Sequence, residues 1–122
     1  MESTEGKLSR TVDYVPDRGD ILFIDLLPKK GHEQAGSWPA IVLTPKLFSE
    51  KTGLFIACPI TSKVKGYSFE VKLPETMSTK GVVLADQIKT LDWRARQLDY
   101  KENSVAVAEV CSKLIGKILM IR

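Results

Sequence analysis

The chain has 122 residues, 43% of them apolar and 27% charged, with a formal net charge of +3. This length predicts one domain with an independent core, and the mildly basic balance is compatible with a polyanionic partner without requiring one. No run approaches the ~20 apolar residues of a membrane span, and the polar residues 1–7 contain no apolar signal core. We therefore expect a cytoplasmic protein with no membrane partner.

Residues 1–13 predict a flexible N-terminal extension because they are polar and show no packing pattern. Residues 14–122 predict a single domain. Its apolar runs are short and separated by Pro, Gly and polar residues, which favours strands over long helices. The predicted strands are residues 21–26, 40–44, 54–60, 67–73 and 81–85.

Two helices are predicted. Thr44 would cap a short helix that starts at Pro45, runs to about Glu50 and is ended by Gly53. Residues 106–119 place apolar side chains close to helical spacing and predict a C-terminal covering helix. Periodicity alone indicates an α+β fold, and about five short strands with this helix fit a small antiparallel barrel, whose closure removes exposed strand edges.

Cys58 and Cys111 lie in apolar surroundings without the short spacing of a metal site. One disulfide between them is an alternative, but two buried thiols in a reducing compartment are the better interpretation. The chain has one histidine, which argues against a histidine-built metal centre. It also lacks a glycine-rich phosphate loop and a nucleophile elbow. We therefore predict acid–base chemistry with no metal and no cofactor.

The most informative loop is residues 31–39, which join two apolar runs and contain two glycines, His32 and Glu33. The two side chains are adjacent titratable groups, one with a pKa near neutrality and one a carboxylate. Loops held by a rigid sheet are frequent sites of binding and catalysis. A hairpin loop whose polar residues only face water is the alternative.

Several ordered blocks at matching spacing resemble the MazF/PemK/Kid family of toxin ribonucleases, over roughly Tyr14 to Leu98. One departure stands out: the family has arginine before the loop proline, where this chain has Trp38. The blocks are residues 18–20 (RGD), 31–36 (GHEQAG), 39–43 (PAIVL), 58–62 (CPITS), 65–67 (KGY), 69–71 (FEV), 81–89 (GVVLADQIK) and 93–96 (WRAR).

The resemblance implies an SH3-like β-barrel, a symmetric homodimer and the toxin of a toxin–antitoxin module. It also implies a cognate antitoxin with an acidic tail and an endoribonuclease that cuts single-stranded RNA at a short sequence. Such cleavage needs no metal because the substrate's 2′-hydroxyl attacks the adjacent phosphorus, giving a 2′,3′-cyclic phosphate and a 5′-hydroxyl. A base must take the 2′-hydroxyl proton and an acid must protonate the leaving oxygen.

The candidate catalytic positions are His32, Glu33, Trp38, Thr61 and Asp86. Some family members use the loop arginine with a strand-end threonine, and others use a histidine, an aspartate and a second arginine. This chain is incomplete for both sets, since Trp38 replaces the loop arginine and Leu84 occupies the position of the second. Asp86 and Thr61 also have plain structural interpretations, as a turn cap and a strand end.

The predicted RNA path combines cations with an aromatic face and polar side chains, as suits a single strand. Arg94 and Arg96 could instead lie on a face that only contacts solvent. Trp93 is more typical of a core or dimer residue than of a base-stacking one. The predicted RNA-binding residues are Lys29, Lys30, Gln34, Ser62, Lys63, Lys65, Tyr67, Gln87, Lys89, Arg94 and Arg96.

A homodimer is also expected from the number of bulky apolar residues, which exceeds what one sheet face and one helix cover. The set is Leu47, Phe48, Leu54, Phe55, Trp93 and Ile118. Two other functions remain open: a non-enzymatic toxin of the same fold that binds DNA gyrase, and an inactive RNA-binding module. The gyrase-binding members we know contact it through a tryptophan near the chain end, whereas the tryptophans here are Trp38 and Trp93.

Overall fold

A computed structural model describes residues 14–25 and 37–121 of the chain. They form seven β-strands and two α-helices. In chain order these are β1 (Asp20–Asp25), β2 (Ser37–Val42), α1 (Lys46–Thr52), β3 (Leu54–Thr61), β4 (Glu70–Lys72), β5 (Val82–Leu84), β6 (Lys89–Asp92), β7 (Leu98–Asn103) and α2 (Val105–Leu119).

The strands pair antiparallel in the order β4-β5-β3-β2-β1-β7, and β6 pairs with β3. The long strand β3 is central: its first half pairs with β6, from Leu54 opposite Asp92, and its end pairs with β5, where Thr61 is opposite Val82. The expected mainly-β fold with a short helix and a C-terminal helix is confirmed. The described part has seven strands rather than about five, and their pairing path is open, with β4 and β7 at its ends.

The two unpredicted strands, β6 and β7, carry mostly exposed side chains. Strands that bury little of either face lack the alternation by which strands are recognised. The predicted strand over residues 67–73 shortens to β4 because the chain turns just before it, where the backbone N–H of Glu70 donates to the carbonyl of Tyr67.

Alternation along the strands builds two apolar clusters. One contains Ile21, Ile41 and Cys58 and is covered by Val107 and Cys111 of α2. The other consists of buried side chains from β1, β2 and β3: Leu22, Ile24, Ala40, Val42, Phe55 and Ala57. Neighbouring residues of a strand thus serve different clusters, as the period of two requires.

The predicted C-terminal helix is confirmed and starts one residue earlier, at Val105, because the Ser104 hydroxyl accepts from the backbone N–H of Val107 at 3.2 Å. The short helix is also present. The expected Thr44 cap is wrong, since Pro45 holds the cap position and the Thr44 hydroxyl accepts from the Ile56 N–H instead. Gly53 ends this helix with a left-handed φ of 76°, as expected.

Cys58 and Cys111 are buried free thiols, as expected. Burial raises the pKa of Cys58 to about 12, with smaller contributions from Cys111 and Asp86, and raises the pKa of Cys111 to about 11. Neither helix of the described residues is long and apolar enough to cross a membrane.

Candidate RNA-binding and catalytic site

A cavity of about 640 Å³ lies where β3 ends, and it brings together residues from five segments of the chain. Its lining combines an apolar floor with hydroxyl groups and two lysines. The lining residues are Phe23, Pro39, Ile60, Thr61, Ser62, Ser78, Thr79, Lys80 and Lys101. Hydroxyl donors and cations around an open cavity suit an anionic ligand.

The floor follows from strand register. Phe23 of β1 is directly opposite Pro39 of β2, and β2 in turn lies beside β3. The sheet order β3-β2-β1-β7 therefore places Thr61 on one side of this floor and Lys101 on the other. Three strand spacings of about 4.8 Å separate the two outer backbones by roughly 14 Å.

Thr61 is held by its neighbours. Its side-chain oxygen accepts from the backbone N–H of Lys63 at 3.1 Å, so the hydroxyl hydrogen stays available for a ligand oxygen. Gly81, with a φ of 117°, packs against the Thr61 carbonyl so closely that a β-carbon there would overlap it. Of the predicted catalytic residues, Thr61 lines this cavity, together with the predicted RNA-binding residue Ser62.

Another wall is formed by residues 78–80, which lead into Gly81 beside Thr61 at one end and are anchored by Glu102 of β7 at the other. The Glu102 carboxylate accepts from the backbone N–H groups of Ser78 and Thr79, at 3.1 and 2.7 Å, and from the Thr79 hydroxyl at 2.6 Å. The Thr79 hydroxyl and these backbone donors stabilise the ionised form and lower the pKa of Glu102. The wall is therefore fixed relative to β7.

Trp38 is half-buried and packs against the apolar cluster of Leu22, Ile24 and Phe55. It is opposite Ile24 in the pairing of β1 with β2. Its neighbour Pro39 lines the cavity, and consecutive residues of a strand point to opposite faces. The tryptophan side chain thus belongs to the apolar packing rather than to the cavity lining.

Three predicted residues lie further along the sheet. Asp86 is close enough to Cys58 for its charge to contribute to the raised pKa of that thiol, and Cys58 is roughly 10 Å along β3 from Thr61. Gln87 closes the turn after β5, where its N–H donates to the Leu84 carbonyl, and Lys89 pairs with Ala57. The structure does not bring these side chains into the cavity.

Arg94 lies at the other end of β3, where the Trp93 N–H donates to the carbonyl of Gly53. Seven residues separate that end from Thr61, roughly 23 Å. The Arg94 guanidinium stacks over Trp93 at 4.9 Å and donates to the Glu50 carbonyl at 3.3 Å. Arg94 therefore supports the end of α1, and Arg96, half-buried, follows in the same turn.

The loop before β4 carries two more predicted RNA-binding residues. The Glu70 carboxylate accepts from the backbone N–H groups of Lys65 and Gly66, at 3.1 and 2.9 Å. Tyr67, about half exposed, stacks on Phe69 with the ring centroids 5.0 Å apart. This loop presents an aromatic face and a lysine to solvent.

The predicted residues Lys29, Lys30, His32, Glu33 and Gln34 lie outside the described residues. Conversely, sequence reasoning did not identify Phe23, Ser78, Thr79, Lys80 and Lys101 as cavity residues. The polar run 74–80 was recognisable as a loop. However, its position beside Thr61 depends on the contact between Glu102 and Thr79, which joins residues 23 positions apart.

A second cavity, of about 950 Å³, has a different character. Carboxylates of Asp17, Asp20, Asp25 and Asp99 line it. A polyanion would be repelled there, so the Thr61 cavity is the better candidate for a phosphate-bearing ligand. Within residues 14–25 and 37–121, no three His, Cys, Asp or Glu side chains are grouped in a way that could hold a metal ion.

Comparison with known proteins agrees with this arrangement. Residues 17–116 match the family model of PemK-like, MazF-like toxins of type II toxin-antitoxin systems. The endoribonuclease toxin MazF of Escherichia coli K12 is 47% identical over 97 residues, which cover 80% of this chain and 86% of that protein.

Solved structures give the same result. MazE-MazF from Deinococcus radiodurans (crystal form II) matches with 43% identity and a TM-score of 0.81, over 90% of this chain and all of that one. MazF from the same organism (crystal form I) matches with 44% identity and a TM-score of 0.75, over 89% of this chain and all of that one.

Proposed function

Because this chain belongs to the PemK-like, MazF-like toxins of type II toxin-antitoxin systems, we propose that it is an endoribonuclease that cuts single-stranded mRNA in the Thr61 cavity. The observation that carries this proposal is the cavity itself, where the Thr61 and Ser62 hydroxyls face Lys101 across an apolar floor. The matched relatives are named endoribonucleases, which favours this function over gyrase binding and over an inactive RNA-binding module.

In the proposed reaction the 2′-hydroxyl oxygen attacks the adjacent phosphorus and the bond from phosphorus to the 5′-oxygen breaks. A base takes the proton of the 2′-hydroxyl, and an acid returns a proton to the 5′-oxygen, which leaves a cyclic 2′,3′-phosphate. Thr61 donates a hydrogen bond to a phosphate oxygen, since its hydrogen is available. We assign the proton transfers to Glu33 and His32, the adjacent titratable residues that precede β2 in the chain, and not to Asp86, whose side chain does not line the cavity.

The RNA strand is proposed to run from the cavity along β3. Ser62, Lys63, Lys65 and Tyr67 follow the strand end and would contact nucleotides near the cleavage site. Phosphate neutralisation and base stacking are the usual means of holding a single strand. The remaining proposed contacts are Lys29, Lys30, Gln34, Gln87, Lys89, Arg94 and Arg96.

The proposed partners are a second copy of the chain and an antitoxin with an acidic tail. Large apolar side chains remain exposed on the described protomer, among them Leu47 at 60% and Ile121 at 76%. Phe55, one of the six bulky apolar residues from which a dimer was expected, is already buried in the core of the protomer. The net charge of +3 favours an acidic partner, and MazE-MazF from D. radiodurans is a complex. Since mRNA is its proposed substrate, the protein would act in the cytoplasm.

Incubation of the purified protein with a long RNA in EDTA tests the function. We expect slow cleavage that leaves cyclic phosphate and 5′-hydroxyl ends. The matched DNA should stay intact because it lacks the 2′-hydroxyl. If the Thr61→Ala variant loses the activity, the cleavage is due to this protein and not to a contaminating nuclease. Binding of RNA without any cleavage, by this chain and by its Trp38→Arg variant, would instead support the inactive RNA-binding module.

A further inference from the structure

A β-bulge aims a lysine at the cavity. In the pairing of β1 with β7, Ile21 is opposite Glu102 whereas Leu22 is opposite Tyr100, so Lys101 is the extra residue between them. Bulges redirect side chains and are frequent next to active sites. Here the redirected side chain lines the same cavity as Thr61.

The Lys101 ammonium lies over the cavity floor. Its Nζ is 5.1 Å from the centroid of the Phe23 ring. Phe23 is the floor residue paired with Pro39. An ammonium over an aromatic face is attracted by the ring electrons, so this contact holds the charge above the floor without using its hydrogen-bond donors.

Lys101 differs from its polar neighbours in the cavity because its charged group is held over the floor, whereas the polar groups of Thr79 and Lys80 are bonded to residues outside the cavity. The Thr79 hydroxyl is engaged by Glu102, and the Lys80 ammonium donates to the Glu75 carbonyl at 2.8 Å. Lys101 has three N–H donors, and the hydrogen-bonding partner near it is Asp99, whose carboxylate oxygen is 3.2 Å away. Both side chains of this pair are exposed, 44% and 68%. Such a pair is weak, so a phosphate can replace the carboxylate.

We propose that Lys101 is a substrate-binding residue that contacts a backbone phosphate of single-stranded RNA in the Thr61 cavity. This inference rests on the proposed function, because it assumes that RNA occupies the cavity. Asp99 competes with the phosphate for the ammonium and thereby weakens binding. An arginine at position 101 would keep the contact, because it also presents a charged donor.

The test measures binding apart from cleavage. The probe is a fluorescent, mixed-sequence 2′-O-methyl oligoribonucleotide, which cannot be cut because its 2′-oxygens are blocked. Its affinity is measured by anisotropy from 50 to 300 mM salt, with circular dichroism to confirm the fold of each variant. Lys101→Gln should weaken binding several-fold at low salt and reduce the slope of log affinity against log salt by about 0.7, one phosphate contact.

Three variants complete the design. Lys113→Gln removes the same charge from an exposed position of α2 and should leave the slope unchanged. Lys101→Arg should have the same slope as the unmodified protein. Asp99→Asn should bind more tightly at low salt. Equal slopes for Lys101→Gln and Lys113→Gln would overturn the inference while leaving the function intact. So would a Lys101→Gln variant that loses affinity only for an acidic antitoxin peptide. Failure of the unmodified protein both to bind RNA and to cleave it would overturn the proposed function itself.

Discussion

Gly81 packs directly against the backbone of Thr61, so that a β-carbon at position 81 would overlap the Thr61 carbonyl oxygen. The φ of 117° at Gly81 is also one that side-chain-bearing residues rarely adopt. The strand end that presents the Thr61 hydroxyl is thus shaped by a residue without a side chain, twenty positions further along the chain.

Gly81→Ala should therefore reduce RNA cleavage and lower the free energy of unfolding by roughly 1–3 kcal/mol. Cleavage assays and urea denaturation measure the two effects. Gly116→Ala is the control, because nothing lies within 4 Å of the new carbon in α2 and alanine there should stabilise the helix by up to about 1 kcal/mol. A Gly81→Ala variant as stable and active as the parent would show that the strand end tolerates displacement.

Some parts of the site could be predicted from the sequence alone, and others could not. Both the strand ending at Thr61 and the helix predicted over residues 106–119 follow from local patterns, the strand from a short continuous apolar run and the helix from apolar residues close to helical spacing. Lys101 does not, because its role depends on a bulge in a mostly exposed strand paired with β1. No local period encodes which strand lies beside which.

The role of a single side chain is hardest to predict when its residue type is equally suited to two different roles. Arg94 stays a proposed RNA contact, and within the protomer it also donates to the carbonyl of Glu50, a contact that the sequence did not predict. A sequence shows that an arginine is present but not which carbonyl it reaches. The same limit applies to Thr44, whose hydroxyl supports Ile56 instead of capping α1.

The buried thiols should react slowly with alkylating agents. With a pKa of about 12 for Cys58 and about 11 for Cys111, only about one molecule in ten thousand carries a Cys58 thiolate at pH 8, and the thiolate is the reactive species. Iodoacetamide labelling followed by mass spectrometry should be at least about a hundredfold slower in the native protein than in guanidinium. Equal rates in both conditions would contradict the burial of these thiols.

Glu102 should give the protein a pH-dependent stability. Its pKa lies below the ordinary value of 4.5 because Thr79 and Ser78 donate to the carboxylate. A lowered pKa stabilises the fold above pH 4.5, and this stability is lost as the pH falls through the folded-state value. Urea denaturation from pH 7 to pH 3 should thus show that Glu102→Gln costs stability at neutral pH and progressively less in acid.

Glu109→Gln, at an exposed position of α2, is the matched control and should track the parent throughout. Because Glu102 anchors the wall that carries Thr79 and Lys80, Glu102→Gln should also weaken RNA binding. A constant stability difference between parent and Glu102→Gln across this range would show that the carboxylate is not selectively stabilised in its charged form.

Trp38→Arg is expected to increase RNA cleavage. The Trp38 side chain lies in the apolar cluster and not in the cavity lining, but a guanidinium is disfavoured in apolar packing, so we expect an arginine there to turn out of the cluster toward the substrate. It would then bring a permanent, planar cation able to form paired hydrogen bonds with the phosphate as charge develops. One such donor is typically worth ~10²–10³ in rate. Since Trp38 packs against the cluster of Leu22, Ile24 and Phe55, the same change should cost stability, by about 1–3 kcal/mol. Single-turnover cleavage of a long RNA in EDTA and thermal denaturation measure the two effects.

Trp38→Phe separates the two contributions, because phenylalanine keeps much of the apolar packing and adds no charge. It should leave the cleavage rate close to that of the parent while largely preserving stability. In the Trp38→Arg background, Thr61→Ala or Glu33→Ala should lower cleavage again, since both act on the same phosphate. If Trp38→Arg left the rate unchanged, the charge at the phosphate would have to come from elsewhere, and Lys101, Lys63 and Lys30 would be the residues to substitute in that background.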